Sequence, residues 1–257
     1  MQSYVISLET ENKRRAHISN EFAKQNVKFD FFDALTPENA ILFAKSLNIN
    51  EQQNLAPGEL ACFMSHVSLW KKIQDENIPY MAIFEDDIFL GRNANQLLAE
   101  EDWIESDWNL IKLEAFAPKI FLGKLLKKLV VSEREVYELK GKNLGTAGYI
   151  LSTFGARTLL EYIQSVDDLP ALDHLMFEDV IKNKIIKVNQ VQPALCIQEM
   201  ILFPVKSSQN FESKLVVERK KIMRMQKKKG MAKVKVELKR IIKQLMIMLF
   251  AKKSFFI

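Results

Sequence analysis

Three consecutive carboxylates, Glu85-Asp86-Asp87, close an apolar run from Tyr80 to Phe84 (YMAIF). Acids crowded in this way repel one another and resist joint ionisation, a conflict that a divalent cation resolves. In an extended segment alternate side chains share a face, which turns Glu85 and Asp87 one way and Asp86 the other. Hard oxygen donors suit Mg²⁺ or Mn²⁺, and a cation held by one or two carboxylates completes its shell with phosphate oxygens and water. A solvated turn after a core strand is the competing reading of the triplet.

Other polar residues could work beside such a centre. Arg14 and Arg15 follow the first apolar run (YVISL, ending in Ser7 and Leu8) by a few residues, and arginine presents planar donors matched to phosphate; a solvated charged pair is the alternative. His66 borders an apolar helical stripe with Ser65 and Glu59, where a satisfied structural histidine competes with a polar site residue. Asp173, in PALDHLMF, could take a proton from an attacking hydroxyl; it could equally cap a helix.

These residues need a frame to hold them. Tyr4–Leu8 reads as a strand, about 13–26 as a helix and Val27–Phe32 as a second strand, the opening of a parallel α/β sheet with its ligand site at the strand carboxyl ends. Pro37 to Asn54 reads as helix and connecting loop. Pro57 and Gly58 introduce a helix from about Glu59 to Asp75, with Leu60, Phe63, Met64, Val67 and Trp70 at helical spacing. Further strands are expected at 80–84, 108–113, within 145–152 (GTAGYILS) and at 185–191. Helices are expected at 155–165 and after Leu169, and the lysine-rich stretch Lys119 to Lys128 reads as an exposed helix or loop.

The 257 residues, 48% of them hydrophobic, can bury one large core. The two cysteines, Cys62 and Cys196, form neither a disulfide framework nor a paired-cysteine metal site. The first residues lack the order of a secretory signal, and no run approaches the roughly 20 apolar residues that cross a bilayer. The reading is a cytoplasmic protein.

Net charge is +5 and unevenly spread. From Lys214 onward there are 15 Lys and Arg against two acids, Glu218 and Glu237, whereas residues 1–213 carry a net −8. Basic and apolar side chains interleave in this tail, a pattern for amphipathic helices that lie on an anionic membrane. Packing against another subunit and a nucleic-acid contact are the alternatives; the acidic body and the lack of a base-reading module count against nucleic acid. The expected division is a catalytic domain over 1–213 and a basic amphipathic helical tail over 214–257.

The ordered stretches YVISLETENKRR, LAPGELACFMSHVSLWKKI, IFEDDIFL, NLGTAGYILSTFGARTLL, PALDHLMF and QPALCIQE resemble glycosyltransferase family 25, the lipooligosaccharide biosynthesis enzymes. The resemblance implies a GT-A-type, Rossmann-like α/β fold with a mostly parallel sheet flanked by helices. It also implies a UDP-sugar donor, often UDP-galactose, a divalent metal and transfer with inversion. Glu85-Asp86-Asp87 corresponds to the family's acidic motif with Glu in place of the first Asp, so Glu85 and Asp87 become the expected metal ligands. Ser7, Leu8, Arg14, Arg15, Glu59, His66, Glu85, Asp86 and Gly148 become the expected donor-site residues. Asp173 is the expected base, with Glu178 as substitute. The acceptor would be a lipooligosaccharide or lipopolysaccharide core, met at the inner face of a bacterial cytoplasmic membrane. Transfer of glucose or an N-acetylhexosamine, a sugar nucleotidyltransferase, and a membrane-docked protein without catalysis are the competing readings. A nucleotidyltransferase is disfavoured because YVISLETENKRR holds no phosphate-loop glycine.

Overall fold

A computed structural model describes residues 1–49, 55–204 and 244–257. In chain order the elements are β1 (Gln2–Ser7), α1 (Asn12–Lys24), β2 (Asp30–Asp33), α2 (Pro37–Ser46), α3 (Pro57–Asp75), β3 (Tyr80–Glu85), β4 (Ile88–Leu90) and α4 (Ala94–Leu98). There follow β5 (Leu110–Lys112), β6 (Glu114–Ala115), β7 (Lys119–Ile120), β8 (Leu122–Leu129), β9 (Arg134–Leu139), β10 (Gly148–Ser152) and α5 (Thr153–Ser165). The chain continues through α6 (Leu172–His174), a π-helical turn (Leu175–Asp179), α7 (Val180–Lys182), β11 (Val188–Gln192), β12 (Cys196–Gln198), α8 (Glu199–Leu202) and β13 (Lys252–Lys253).

Eight strands form the central sheet in the order β2-β1-β3-β10-β5-β11-β9-β8. The pairings run β1, β2, β3, β5, β8 and β11 in one direction and only β9 and β10 in the other, so the expected mostly parallel α/β sheet is what forms. Strand alternation divides the core in two. Ile6, Ile83, Tyr149 and Leu151 join α2, α3 and α5 on one face, while Val5, Ala82, Phe84 and Ile150 meet Ile18 and Phe22 of α1 on the other. Burying a Trp70 or Phe22 side chain in such a layer stabilises by about 1.5–3 kcal/mol each, which is why both faces of the central strands are apolar.

Local chemistry sets the helix starts. Thr36 Oγ1 accepts from Asn39 N ahead of Pro37 at the start of α2, and Pro57 occupies the first turn of α3, where its missing N–H costs nothing. Glu59 reaches back to Ala56 N at 3.0 Å and closes that turn.

The structure corrects the reading of Lys119 to Lys128 as helix or loop. These residues form β7 and most of β8, an edge strand paired with β9. Two register irregularities break its alternation, and lysines are what an exposed sheet edge tolerates, so the strand period is hidden in the sequence. Residues 50–54 of the expected loop and most of the basic tail lie outside the described residues. Within the tail, residues 244–250 are helical, and the chain then runs extended against the body. There β13 pairs with β7, Ala194 N donates to Phe255 O at 2.8 Å and Arg92 N donates to Ile257 O at 2.9 Å. Among the described residues no helix is long and apolar enough to cross a membrane.

Candidate functional site

The carboxyl ends of the adjacent strands β1 and β3 bring Ser7 and the acidic triplet together. Asp86 turns toward β1 and α1: Ser7 Oγ donates to its Oδ2 at 2.7 Å and Arg14 Nη1 to its Oδ1 at 2.6 Å, all in a largely buried setting. Its neighbours turn the other way, toward β12. Gln198 Nε2 stands 3.4 Å from Glu85 Oε2 and 3.2 Å from each oxygen of Asp87. Glu85 Oε1 accepts from Thr146 Oγ1 at 2.6 Å.

Arg15 has a different task from Arg14. Its Nη2 and Nε donate to the carbonyls of Ser7 (3.1 Å) and Leu8 (3.2 Å), it pairs with Asp33, and its guanidinium lies 4.7 Å from the Phe31 ring. It therefore fixes the backbone leaving β1. Leu8 is exposed at 42%, at the lip of the site.

The two inward carboxylates differ electrostatically. Burial favours protonated Glu85, but His66, Thr146 and Lys112 outweigh it and hold this carboxyl below its ordinary range. Burial and then the Glu85 charge push Asp87 up to about 7, against the pull of Arg14 and Gln198. One negative charge is easily accommodated here and a second is not. That conflict and the oxygen donor set fit a divalent cation bound between Glu85 and Asp87.

Behind Glu85 lies a buried polar chain. Tyr149 Oη accepts from Trp70 Nε1 at 2.8 Å and lies 2.9 Å from His66 Nδ1, so its own proton is available to the imidazole. His66 Nε2 is buried without a hydrogen-bond partner, 3.6 Å from Glu85 Oε1. Ligand atoms of Cys62, His66 and Glu85 lie within 4.8 Å of one another. Burial, followed by the charges of Glu85, Asp87, Asp173 and Asp86, pushes the Cys62 thiol well up, so it is a neutral group facing the acids.

Not every expected residue joins this cluster. Glu59 and His66 part company, because Glu59 sits at the mouth of α3 bonding Ala56 while His66, two turns on, is fully buried. Gly148 is buried at the start of β10, and a Cβ there would fall 2.2 Å from Cys196 Sγ, so only glycine lets the strand pass. Glu178 is engaged by Lys142 Nζ at 2.5 Å and His174 Nδ1 at 2.8 Å, and although burial opposes it, these partners lower its pKa. That ion pair suits it poorly to act as a base. Asp173 accepts from His174 N at 2.9 Å, is partly exposed, and is close enough to raise the Cys62 pKa. It therefore borders the acidic cluster, ahead of a π-helical turn of the kind often found at working sites.

Gln198, Thr146, Tyr149 and Cys62 were not singled out from the sequence. Cys62 and His66 share a helix face at four-residue spacing, a signal that was present; Gln198 carries none. Lys112 and Glu114 also went unnoticed. They form a fully buried pair at 2.8 Å, and two-residue spacing in an apolar strand was their only sign.

Residues 1–176 match the family model described as glycosyltransferase family 25 (LPS biosynthesis protein). The lipooligosaccharide biosynthesis protein lic2B of Haemophilus influenzae is 37% identical over 266 residues, spanning 98% of this chain and 97% of that one. The lacto-N-neotetraose biosynthesis glycosyltransferase LgtE of Neisseria meningitidis is 38% identical over 210 residues, 78% of this chain and 75% of the relative. Among solved structures, a glycosyltransferase involved in glycosylation of the major capsid of PBCV-1 aligns at 8% identity and TM-score 0.43, over 86% of this chain and 98% of that one.

Proposed function

Because this chain belongs to glycosyltransferase family 25, we propose that it is a metal-dependent, inverting hexosyltransferase that moves galactose from UDP-galactose onto a lipooligosaccharide core. The observation that carries the reading is the division of labour in the triplet: Asp86 is locked by Ser7 and Arg14, while Glu85 and Asp87 face a common space in front of Gln198. The acceptor class is suggested by the names of the relatives and the sugar by the family resemblance. Glucose and N-acetylhexosamines are the alternatives.

A divalent cation bound at Glu85 and Asp87 would supply positive charge to the departing diphosphate. Ser7, Arg14 and Asp86 hold the end of β1 against that of β3 and so shape the nucleotide side of the site. On the acceptor side Asp173 takes the proton of the attacking hydroxyl. The acceptor oxygen bonds to the anomeric carbon as the bond to the diphosphate oxygen breaks, which inverts the centre in one displacement. His66, kept in place by Tyr149, steadies the Glu85 carboxylate from behind.

The test is a panel of UDP-sugars offered with truncated lipooligosaccharide acceptors, with and without EDTA and Mn²⁺, and products identified by mass and NMR. UDP release from UDP-galactose only with both acceptor and metal is expected; full turnover in chelator would remove the cation from the mechanism.

The basic tail is proposed to hold the enzyme at an anionic membrane surface, where a lipid-linked acceptor resides. Because residues 252–257 pair with the body, deleting the tail would also strip β7 and Ala194 of their partners. Charge reversal of tail lysines, read by liposome flotation, tests the anchor without that damage.

A further inference from the structure

Cys62 and His66 stand four residues apart on α3, so one continuous helix presents both to the same space. Glu85 enters that space from the end of β3, and ligand atoms of the three residues lie within 4.8 Å of one another. His66 is fully buried, and its Nε2 has no hydrogen-bond partner. The nearest acceptor, Glu85 Oε1, is 3.6 Å away, beyond hydrogen-bond reach. Two ligand atoms on a tetrahedral zinc lie about 3.3–3.6 Å apart. His66 and Glu85 therefore hold nearly the separation that a metal would impose, and Cys62 Sγ joins them after a side-chain adjustment of roughly an ångström.

The surroundings of the cluster are those of ligands held from behind. His66 Nδ1 lies 2.9 Å from Tyr149 Oη, which Trp70 Nε1 fixes at 2.8 Å, and Thr146 Oγ1 donates to Glu85 Oε1 at 2.6 Å. Such outer partners orient a metal ligand and strengthen it as a donor. Cys62 is half-buried and the Glu85 side chain is 22% exposed, so the cluster is not sealed from solvent.

The donor types separate this cluster from its neighbour. One sulfur, one imidazole nitrogen and one carboxylate oxygen suit zinc, whereas the all-oxygen pair Glu85 and Asp87 suits Mn²⁺ or Mg²⁺. Glu85 belongs to both sets.

We propose that Cys62, His66 and Glu85 form a zinc site that competes with the Glu85–Asp87 cation site for the shared carboxylate. Zinc bonds to Cys62 Sγ, His66 Nε2 and a Glu85 oxygen, with the fourth position open to water. The thiol proton passes to solvent in the field of the dication, and the imidazole proton sits on Nδ1, where Tyr149 Oη accepts it beside the Trp70 N–H. Glu85 charge drawn to zinc is lost to Mn²⁺, so zinc weakens Mn²⁺ binding. That competition rests on the proposed Mn²⁺ site; the zinc ligation does not.

The experiment measures Zn²⁺ binding to the full chain by calorimetry in wild type, Cys62→Ala and Asp87→Asn, with Co²⁺ as the spectroscopic probe of thiolate ligation and a thermal midpoint for each protein. A thiolate-to-Co²⁺ charge-transfer band is expected in wild type and Asp87→Asn and not in Cys62→Ala. Zinc affinity is expected to fall at least about 100-fold in Cys62→Ala and to stay within about tenfold of wild type in Asp87→Asn. Absence of the band in wild type would overturn the proposal without recourse to a variant. A band that survives Cys62→Ala would place the thiolate at Cys196 and also overturn it. So would zinc affinity unchanged by Cys62→Ala, or lost as fully in Asp87→Asn, the pattern of a metal held by the acids alone. Mn²⁺ is expected to bind zinc-loaded wild type at least about tenfold more weakly than zinc-free wild type; equal affinities would reject the shared Glu85. Failure of the zinc-free protein to bind Mn²⁺ would sink the Mn²⁺ reading and leave the zinc site, read by its thiolate band, standing.

Discussion

Gln198 Nε2 lies 3.2 Å from both carboxylate oxygens of Asp87, so one amide from β12 straddles an acid delivered by the turn after β3. Burial and the Glu85 charge both oppose ionisation of Asp87, and the amide offers it a dipole but no full charge. A bound cation would compensate it far better. Asp87→Asn is therefore expected to weaken Mn²⁺ binding by about 100-fold or more, while Gln198→Ala, outside the proposed ligand pair, costs about tenfold. Titration calorimetry with Mn²⁺ checks both, and equal affinities across the three proteins would reject the site.

The raised pKa of Asp87, about 7, fixes the sign of a pH effect. Between the ordinary aspartate value and about 7 the folded metal-free protein holds a proton that the unfolded chain has lost. This contribution to stability is present at low pH and is lost as pH rises through 7. A cation needs the ionised form, so Mn²⁺ affinity should climb by up to about tenfold per pH unit below 7 and level off above it. Calorimetry in buffers of different ionisation enthalpy should show close to one proton released near pH 6 and almost none at pH 8.

Asp173 and Glu178 are separated by their partners. Asp173→Asn is expected to lower kcat by about 10²–10⁴-fold with UDP binding intact. Glu178→Gln removes an acceptor from Lys142 and His174, and its expected effect is a loss of about 1 kcal/mol of stability with modest change in kcat. Single-turnover assays and urea unfolding distinguish the two. A reversed pattern would transfer the base assignment to Glu178.

Lys112 and Glu114 are both fully buried, and Lys112 also donates to Gly145 O and lies 4.1 Å from the centre of the Phe177 ring. Removing one partner strands the other charge, so Glu114→Gln should cost about 3–5 kcal/mol. Gly145, at φ +86°, passes so close that a Cβ would approach the Glu114 carboxylate to 2.5 Å, and Gly145→Ala should also destabilise. Denaturant unfolding reads both; wild-type midpoints would show that the pair contributes little.

Gly148→Ala should destabilise because its Cβ would meet Cys196 Sγ at 2.2 Å, and Gly148→Ala/Cys196→Ala should recover part of the loss by clearing that atom. Additive losses in a double-mutant cycle would show that the two positions do not share the space.

The main helices and most central strands were legible because local patterns report them directly: the stripe of α3, the Pro57 start and the apolar run of β3. Alternation predicts opposed directions for Glu85 and Asp86, and these are observed, although the strand ends at Glu85 and it is the turn at Asp86-Asp87 that carries them. Edge strand β8 was missed because its lysines satisfy an exposed edge as well as a helix surface, and its bulges erase the period of two. The requirement for glycine at 148 was not legible, because a sequence shows that a glycine is present and not that Cys196 Sγ occupies the space a Cβ would need.

The sequence by itself determined that a buried strand must run into three acids and that charge concentrates in the tail. These are properties of covalent order and backbone geometry. Only the tertiary structure decided which groups answer each acid: Ser7 and Arg14 for Asp86, Gln198 for Asp87, and Thr146 with the His66–Tyr149–Trp70 chain for Glu85. Those partners lie 61 to 113 residues away from the triplet or on separate elements, and their approach depends on sheet order and packing that no local pattern encodes.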